Sequence, residues 1–571
     1  MKPIKLLSEH KKNLVPTIVV SLILFALIGY IIYINFSYYW DFLHSDIAAD
    51  LAFIREAANT FSLFPEGWAH INEMRFIYIT TIAIPFYWIT SNVHLAYSLA
   101  VSLMLLVNVA LFHYMLRFQK RSTFAILVGT VVLLIFFSRY NIFSVFSILF
   151  INGTLSTHLA TVFLTIGVYM RIKYKTESGF KLQKALWIIT LLLAFAQGIQ
   201  SPRMLIVLYA PLLFVELLPI LRSVRRKSPN INIIGLLYAF IAFLLNVFGM
   251  LLINILIRND IVLLEESGLT FSLDIVSSSQ FITERIFQSI TSLFHAFGLI
   301  GYHGLFSAEG FLFIMRVFFI FVTVFIYWNS NKNSADKHLV HILATTVIFT
   351  VLSQAIITIN IGERFNFIAT SLFSVIFVIS LCNIMENKEI EKIEPDSVEQ
   401  ALAHKLSLDK HSTNEVEPQT LRKYLIGTLL VLVCIGSLLS INTLAVKRNP
   451  NLISGRQRVV HFLKNENLTV GYGAFWQSHA ITAVANWDVV VIPFPFHIHF
   501  GIVSQPLRQG VASHDFFHNE ERVFLVGTVD YIKEAYEHEQ MRAILEHGER
   551  HDFPDGWVVY VFDFNPWVNW K

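Results

Sequence analysis

Apolar runs long enough to enter a bilayer recur along this chain, at roughly 13–36, 93–116, 122–138, 154–170, 185–198, 204–221, 232–257, 309–328, 339–358, 365–384 and 424–444. A helix needs about 20 mainly apolar residues to cross the hydrocarbon core. In that solvent every backbone N–H and C=O must be bonded inside the protein, so such runs are expected as helices. Taken as spans they number about eleven. The composition agrees, with 55% hydrophobic residues, only 15% charged residues and a mean hydropathy of +0.58. A soluble chain carries more charge than this. The first run follows a basic flank and leads into SYYW rather than a small-x-small cleavage site, so it reads as an uncleaved first span.

Loop charges set the expected orientation. The segment 76–90, FIYITTIAIPFYWIT, is short and interrupted by Pro85. If it does not cross, all the basic loops fall on one side. These are the N-terminal Lys2, Lys5, Lys11 and Lys12, then RFQKR at 117–121, RIKYKTESGFKLQK at 171–184 and RSVRRK at 222–227. The loop with Lys332 and Lys337 and the pair Arg422 and Lys423 complete the set. The positive-inside rule then makes that side cytoplasmic and lays 76–90 along the outer surface or makes it re-entrant. The expectation is a multi-pass plasma-membrane protein in contact with membrane lipids, its N-terminus cytoplasmic. Outer loops and span ends from Ser37 to Phe365 lack lysine, and their cations include Arg55, Arg75, Arg139, Arg203, Arg258, Arg285 and Arg364. The positive-inside rule accounts for missing lysine but would deplete arginine as well. Arginine is also what a bidentate phosphate or carboxylate clamp uses, because its planar fork matches oxyanion geometry.

The expected architecture is an all-α polytopic membrane domain over 1–445, plus an extracytoplasmic α/β domain over 446–571. The membrane domain carries a juxtamembrane outer loop at 37–92 and an acidic cytoplasmic loop at 386–423. In the tail, RQRVVHFLKNEN and AFWQSHAITAVA read as helices, while LTVGYG, DVVVIPF, ERVFLVG and GWVVYVFDF read as strands of a mostly parallel sheet. The helix after GYG is expected to begin near Ala474. Cys382 and Cys434 lie inside apolar runs, which argues against a disulfide framework or a cysteine metal site. There is no dense basic stripe or nucleic-acid motif, and the oligomeric state is not legible.

The first outer loop is unusually charged for so apolar a chain. HSDIAADLAFIREA, residues 44–57, reads as a short helix on the membrane, with Ile47, Leu51, Ile54 and Ala58 on one apolar stripe. Asp46 and Asp50 share another face at i and i+4, a spacing at which like charges raise each other's pKa and suit a carboxylate for general-base work. EGWAHINEMRF adds Trp68, His70, Glu73 and Arg75 to the same loop. For a lone pair of acids, a solvated polar face with a capping Asp is the favoured reading. The gathering of acids, arginines and an indole at the bilayer is what favours function, since charges there are costly and usually functional.

This layout resembles the GT-C class of polytopic glycosyltransferases. Such proteins carry an acid in a large first outer loop after span 1, juxtamembrane helices in that loop, and often an outer C-terminal domain. QGIQSPRMLIVLYAPLL resembles the outer start of a later span in that class, which brings Arg203 to the surface. NIGERFNFIA resembles its late arginine–aromatic element, which brings Arg364. LTVGYGAFWQSHAIT resembles a stretch in the outer domain of related bacterial membrane proteins, many of unknown activity. The chain departs from the class in lacking an adjacent Asp-Asp or Glu-Asp pair and a Pro-Pro after the first loop. The resemblance implies inverting transfer of a hexosyl or pentosyl unit from a polyprenyl-phosphate donor to an extracytoplasmic acceptor. Asp46 would then be the matching acid and Asp50 and Glu73 further candidates. Arg75, Arg203, Arg364, Trp68 and His44 would contact substrate, and a divalent cation, Mg or Mn, is a candidate for the departing phosphate. Trp68 would stack on a sugar face.

Two other classes compete. A flippase or transporter of lipid-linked glycans would want charges at mid-membrane, whereas here they gather at the outer face. A non-catalytic accessory protein would share every feature named so far. Among the tail histidines, HDFFH and HIHF are expected at the surface rather than on a metal, and Trp557, Trp567 and Trp570 as packing or interfacial residues. No phosphate loop, nucleotide fingerprint or Ser-His-Asp order occurs, so nucleotide-sugars and ATP are not expected substrates.

Overall fold

The computed structural model describes residues 3–37, 43, 45–65, 68–70, 74–119, 121–139, 144–174, 180–226, 233–259, 262–264, 279–299, 307–330, 332–356, 362–390, 418–446, 455–493, 521–537, 539–554 and 556–567. Among them, eight helices are long and apolar enough to cross a membrane: Leu14–Ser37, Val93–Leu116, Leu182–Gln200, Ile233–Arg258, Glu309–Asn329, Ser334–Ile356, Arg364–Met385 and Tyr424–Asn442. The chain is thus a multi-pass membrane protein. In chain order the helices are α1 (Pro3–Ser37), α2 (Ser45–Thr60), α3 (Ile79–Thr90), α4 (Val93–Leu116), α5 (Thr123–Val131), α6 (Ser156–Lys173), α7 (Phe180–Gln200) and α8 (Ala210–Arg226). There follow α9 (Ile233–Arg258), α10 (Ser279–Ala296), α11 (Ala308–Asn329), α12 (Ser334–Ile356), α13 (Phe367–Ile390) and α14 (Pro418–Val446).

The expected runs at 122–138 and 204–221 fold as shorter apolar helices, Thr123–Phe136 and Leu205–Ile220. Each contains a wide π-type turn, Val132–Phe136 after α5 and Leu205–Tyr209 before α8. The doubtful segment around Pro85 is α3, only 12 residues long. At 1.5 Å per residue it reaches about 18 Å, well short of the hydrocarbon core.

Close packing of α7 on α9 uses two glycines. A Cβ on Gly198 would sit 2.0 Å from the Asn246 carbonyl oxygen, and one on Gly249 would sit 2.2 Å from that of Phe195. Small residues let membrane helices approach in this way, and the approach lets Asn246 Nδ2 donate to the Ala194 carbonyl at 2.8 Å. Arg316, inside α11, is buried and donates to the carbonyls of Phe136, Ser138 and Gly298 and to Ser440 Oγ. Its charge is spent on peptide groups around the π-turn after α5. At the C-terminal end of α6, Lys173 and Tyr169 bond to Glu216 of α8, with His338 of α12 3.1 Å from the same carboxylate.

The C-terminal region forms an α/β unit. It contains α15 (Gly455–Asn465), β3 (Val470–Gly473), α16 (Phe475–Val484), β4 (Val490–Pro493), β5 (Val523–Thr528), α17 (Val529–Tyr536), α18 (Glu539–Leu545), β6 (Glu549–Asp552) and β7 (Trp557–Phe562). The two-residue strands β1 (Ala69–His70) and β2 (Leu263–Leu264) pair separately. The sheet order is β4-β3-β5-β7-β6, parallel through the first three strands and antiparallel through the last two. The sheet is therefore mixed, because β7 runs antiparallel to β5, and ERHD (549–552) adds an unforeseen edge strand beyond it. It is exposed and charged, a composition that reads as loop and that edge strands tolerate. GYG closes β3 and leads into α16 as expected. Trp567 is buried against Tyr472 and Phe562, with ring centroids 4.7 and 5.3 Å apart. The HIHF and HDFFH histidines and Trp570 lie outside the described residues.

Candidate functional site

The charged helix α2 is more deeply set than a helix on a membrane surface. Its stripe of Ile47, Leu51, Ile54 and Ala58 is buried, but so are Ala48, Ala49, Phe53 and Ala57 on its other faces. They pack with α3, α4 and residues of α16 in one apolar cluster. The cover over the second face comes from the distant C-terminal unit, which is why local periodicity could not anticipate it.

That burial separates the two carboxylates. Asp50 is 1% exposed and its Oδ1 accepts from Arg75 Nε at 2.6 Å, with Arg75 itself 7% exposed. Arg75 also lies over Phe53 and Tyr78, 5.6 and 5.9 Å from the ring centroids. Burial disfavours its charge, but Asp50, Tyr78 and Asp46 outweigh that, so the guanidinium is held above its ordinary pKa. Asp46, one turn earlier, remains 34% exposed and faces Arg364, 3.9 Å away and 35% exposed. The expected carboxylate pair is thus two separate groups, a buried ion pair and an accessible acid.

Two other segments complete the site. Pro202 cannot continue α7, and the residue before a proline disfavours the α conformation, so α7 ends at Gln200. The next turn carries Arg203. Its guanidinium lies 5.1 Å from the Phe365 ring centroid, and the Arg364 guanidinium lies 5.1 Å from the same ring. Arg364 and Phe365 sit in the 3-10 turn Glu363–Asn366 that opens α13. Asp46, Arg203, Arg364 and Phe365, from three distant segments, therefore gather at one end of the bundle.

Sequence reasoning missed the residues that hold this arrangement. The Gln200 carbonyl accepts from Met74 N–H at 3.0 Å, its Oε1 accepts from Ile77 N–H at 2.9 Å, and its Nε2 lies 3.3 Å from His158 Nε2. Gln200 thus fixes the loop bearing Arg75 while it ends the helix that delivers Arg203. Behind Arg364, Asn366 Nδ2 donates to Ser292 Oγ at 2.9 Å, and Gln354 Nε2 lies 3.3 Å from Asn366 Oδ1. The available signal was a set of amides and a histidine inside otherwise apolar spans, which must find partners there.

Other expectations are corrected. Trp68 is 5% exposed and packs edge-on against Phe53, with centroids 5.3 Å apart, so its faces are committed to the core and leave none for a sugar. Arg75 is occupied by Asp50 and does not present its fork to a ligand. His44, Glu73 and the side chain of His70 lie outside the described residues. Asp50 is held by a guanidinium, and among the described residues no three His, Cys, Asp or Glu side chains come together to hold a metal ion.

No protein-family model matches the sequence, and no curated protein sequence matches it. The fold does have a solved counterpart. The crystal structure of ArnT from Cupriavidus metallidurans, bound to undecaprenyl phosphate, superposes with a TM-score of 0.53 over 96% of this chain and 99% of that one, at 11% identity. The chain shares that fold over nearly its whole length.

Proposed function

We propose that the protein is a membrane glycosyltransferase that moves a sugar from a polyprenyl-phosphate donor to a hydroxyl acceptor. The observation that carries this reading is the convergence of an accessible carboxylate, Asp46, with two arginines that both lie over Phe365. The shared fold supports it, because ArnT was crystallised with a polyprenyl phosphate.

The chemistry follows from the groups. Asp46 takes the proton of the acceptor hydroxyl as its oxygen attacks the anomeric carbon. The bond from that carbon to the phosphate oxygen breaks, and the lipid phosphate leaves with an added negative charge. Arg203 and Arg364 meet that charge, each presenting a fork that a phosphate can accept. Arg364 faces Asp46 in the free protein. A phosphate arriving between the arginines competes for it, which frees the carboxylate to take a proton only once the donor is bound. Phe365 offers both guanidinium groups its ring as a cation–π partner.

The test is transfer from a radiolabelled polyprenyl-phosphate sugar in proteoliposomes. Asp46→Asn is expected to abolish transfer while leaving donor binding within a few-fold of wild type. Retained transfer in Asp46→Asn would remove Asp46 as the base, and absence of transfer by the wild type would favour the accessory reading.

A further inference from the structure

The helix α16 ends in AVANWDV, residues 483–489. Asn486 N–H bonds the Ala483 carbonyl and Trp487 N–H bonds the Thr482 carbonyl, both at 3.0 Å. This is the double closure of a Schellman cap, with Asn486 at the left-handed position, φ 55°. The cap is complete there, yet Trp487 is left-handed too, with φ 65°. A bulky side chain rarely adopts that conformation. It persists where surrounding contacts over-determine it, and such residues cluster at functional sites.

The contacts of Trp487 come from the membrane domain. Its ring lies beneath the Arg55 guanidinium of α2, 4.2 Å from the centroid, with the His94 ring of α4 6.1 Å away. His94 Nε2 also lies 3.1 Å from the Ala483 carbonyl, the one on which Asn486 closes. Near the other end of α2, Arg456 of α15 donates to the carbonyl of Leu43, two residues before the helix begins. Between these points Ala483 and Val484 pack into the cluster of Leu43, Ile47, Leu51 and Ile54. The C-terminal unit therefore grips the Asp46-bearing helix at both ends.

We infer that Trp487 is a positioning residue through which the C-terminal domain, by way of Arg55, fixes α2 and sets Asp46 against Arg364. This rests on the reading of Asp46 as the base. A left-handed tryptophan is a costly way to end a helix, since a glycine at the same place would relieve the backbone. What glycine lacks is the ring under Arg55.

The experiment compares wild type, Trp487→Gly, Trp487→Phe and Arg55→Gln in the full chain in nanodiscs. The deciding readout is amide hydrogen exchange over 45–60, which does not depend on any substrate. Trp487→Gly is expected to leave exchange of the sheet strands unchanged or slower, because strain is relieved, and to raise exchange in α2 about tenfold. Trp487→Phe keeps a ring face and is expected to restore most of the protection. Arg55→Gln, which leaves the C-terminal domain untouched, is expected to reproduce the α2 effect. In the transfer assay Trp487→Gly is expected to lower kcat with donor KM unchanged, since neither arginine of the phosphate site is altered. Wild-type exchange in α2 for Trp487→Gly and Arg55→Gln overturns the inference, as does a Trp487→Phe no better protected than Trp487→Gly. If Asp46→Asn stays active, the reading of Asp46 as the base falls by itself, and the exchange data still decide whether Trp487 holds α2.

Discussion

Breaking the Asp50–Arg75 pair is the sharpest test of how the charged loop is built. The contact is 2.6 Å between groups 1% and 7% exposed, so neither charge can turn to water when its partner is lost. Removing one member of such a pair costs about 3–5 kcal/mol, whereas replacing both with apolar residues of similar volume is often neutral or stabilising. Asp50→Leu and Arg75→Met should each therefore lower stability by about that amount, and the double variant should lie near wild type. The coupling energy would be about 6–10 kcal/mol, the sum of the two single losses, with a sign that marks rescue. The assay is the fraction of monodisperse protein after heating in detergent, read for all four forms. Each single variant is expected to lose roughly 5 °C or more, and the double to recover most of it. The double should also retain transfer, because the pair does not face the site. Single variants at the wild-type midpoint would show that the pair is not buried. A folded but inactive double would show that Asp50 or Arg75 reaches the substrate after all.

Asp46→Asn is expected to cost about 10²–10⁴ in turnover with the melting midpoint unchanged, since general-base catalysis contributes that much and Asp46 is one-third exposed. Arg203→Lys and Arg364→Lys keep the charge but lose the fork, and are expected to raise donor KM several-fold, measured by initial rates across donor concentration. Gln200→Leu removes one hydrogen bond to Ile77 and the contact with His158, and is expected to lower the midpoint by several degrees, as buried amide partners are stranded. Cysteine labelling of Ser178→Cys, Ser397→Cys and Ser513→Cys in intact cells is expected to mark the last alone; external labelling of either of the first two would reverse the proposed orientation.

What could be read from the residues alone was whatever depends on local composition. The apolar runs become helices because a bilayer leaves the backbone no alternative, and α3, 12 residues with a proline, is as short as its sequence reads. The β3–α16 junction was legible because GYG followed by an amphiphilic run is local turn chemistry. Three residues of the candidate site, Asp46, Arg203 and Arg364, stood out in the sequence because a charge beside an apolar run is conspicuous. Phe365 was not, since this chain has 51 phenylalanines and only its neighbours' charges distinguish this one. Gln200 and Asn366 were hidden for another reason. Their roles are hydrogen bonds to segments more than 70 residues away, to Ile77 and Ser292, and no periodicity encodes those partners.

The same distinction explains why the loop after α1 misled in detail. By itself, an acid at i and another at i+4 form a coupled pair on a polar face. In the fold three of the four charges on α2 are each met by a different distant group: Asp50 by Arg75, Asp46 by Arg364, and Arg55 by the ring of Trp487. A helix so apolar would otherwise be free to rotate or sink among its apolar neighbours, since packing alone is weakly directional. Three charges with three separate partners fix its rotation and depth. One partner comes from the loop after α2, one from the turn that opens α13, and one from the C-terminal domain. The charges that stand out in a hydrophobic chain are thus the fasteners of this helix, and Asp46, held least tightly and left partly open, is the one available for chemistry.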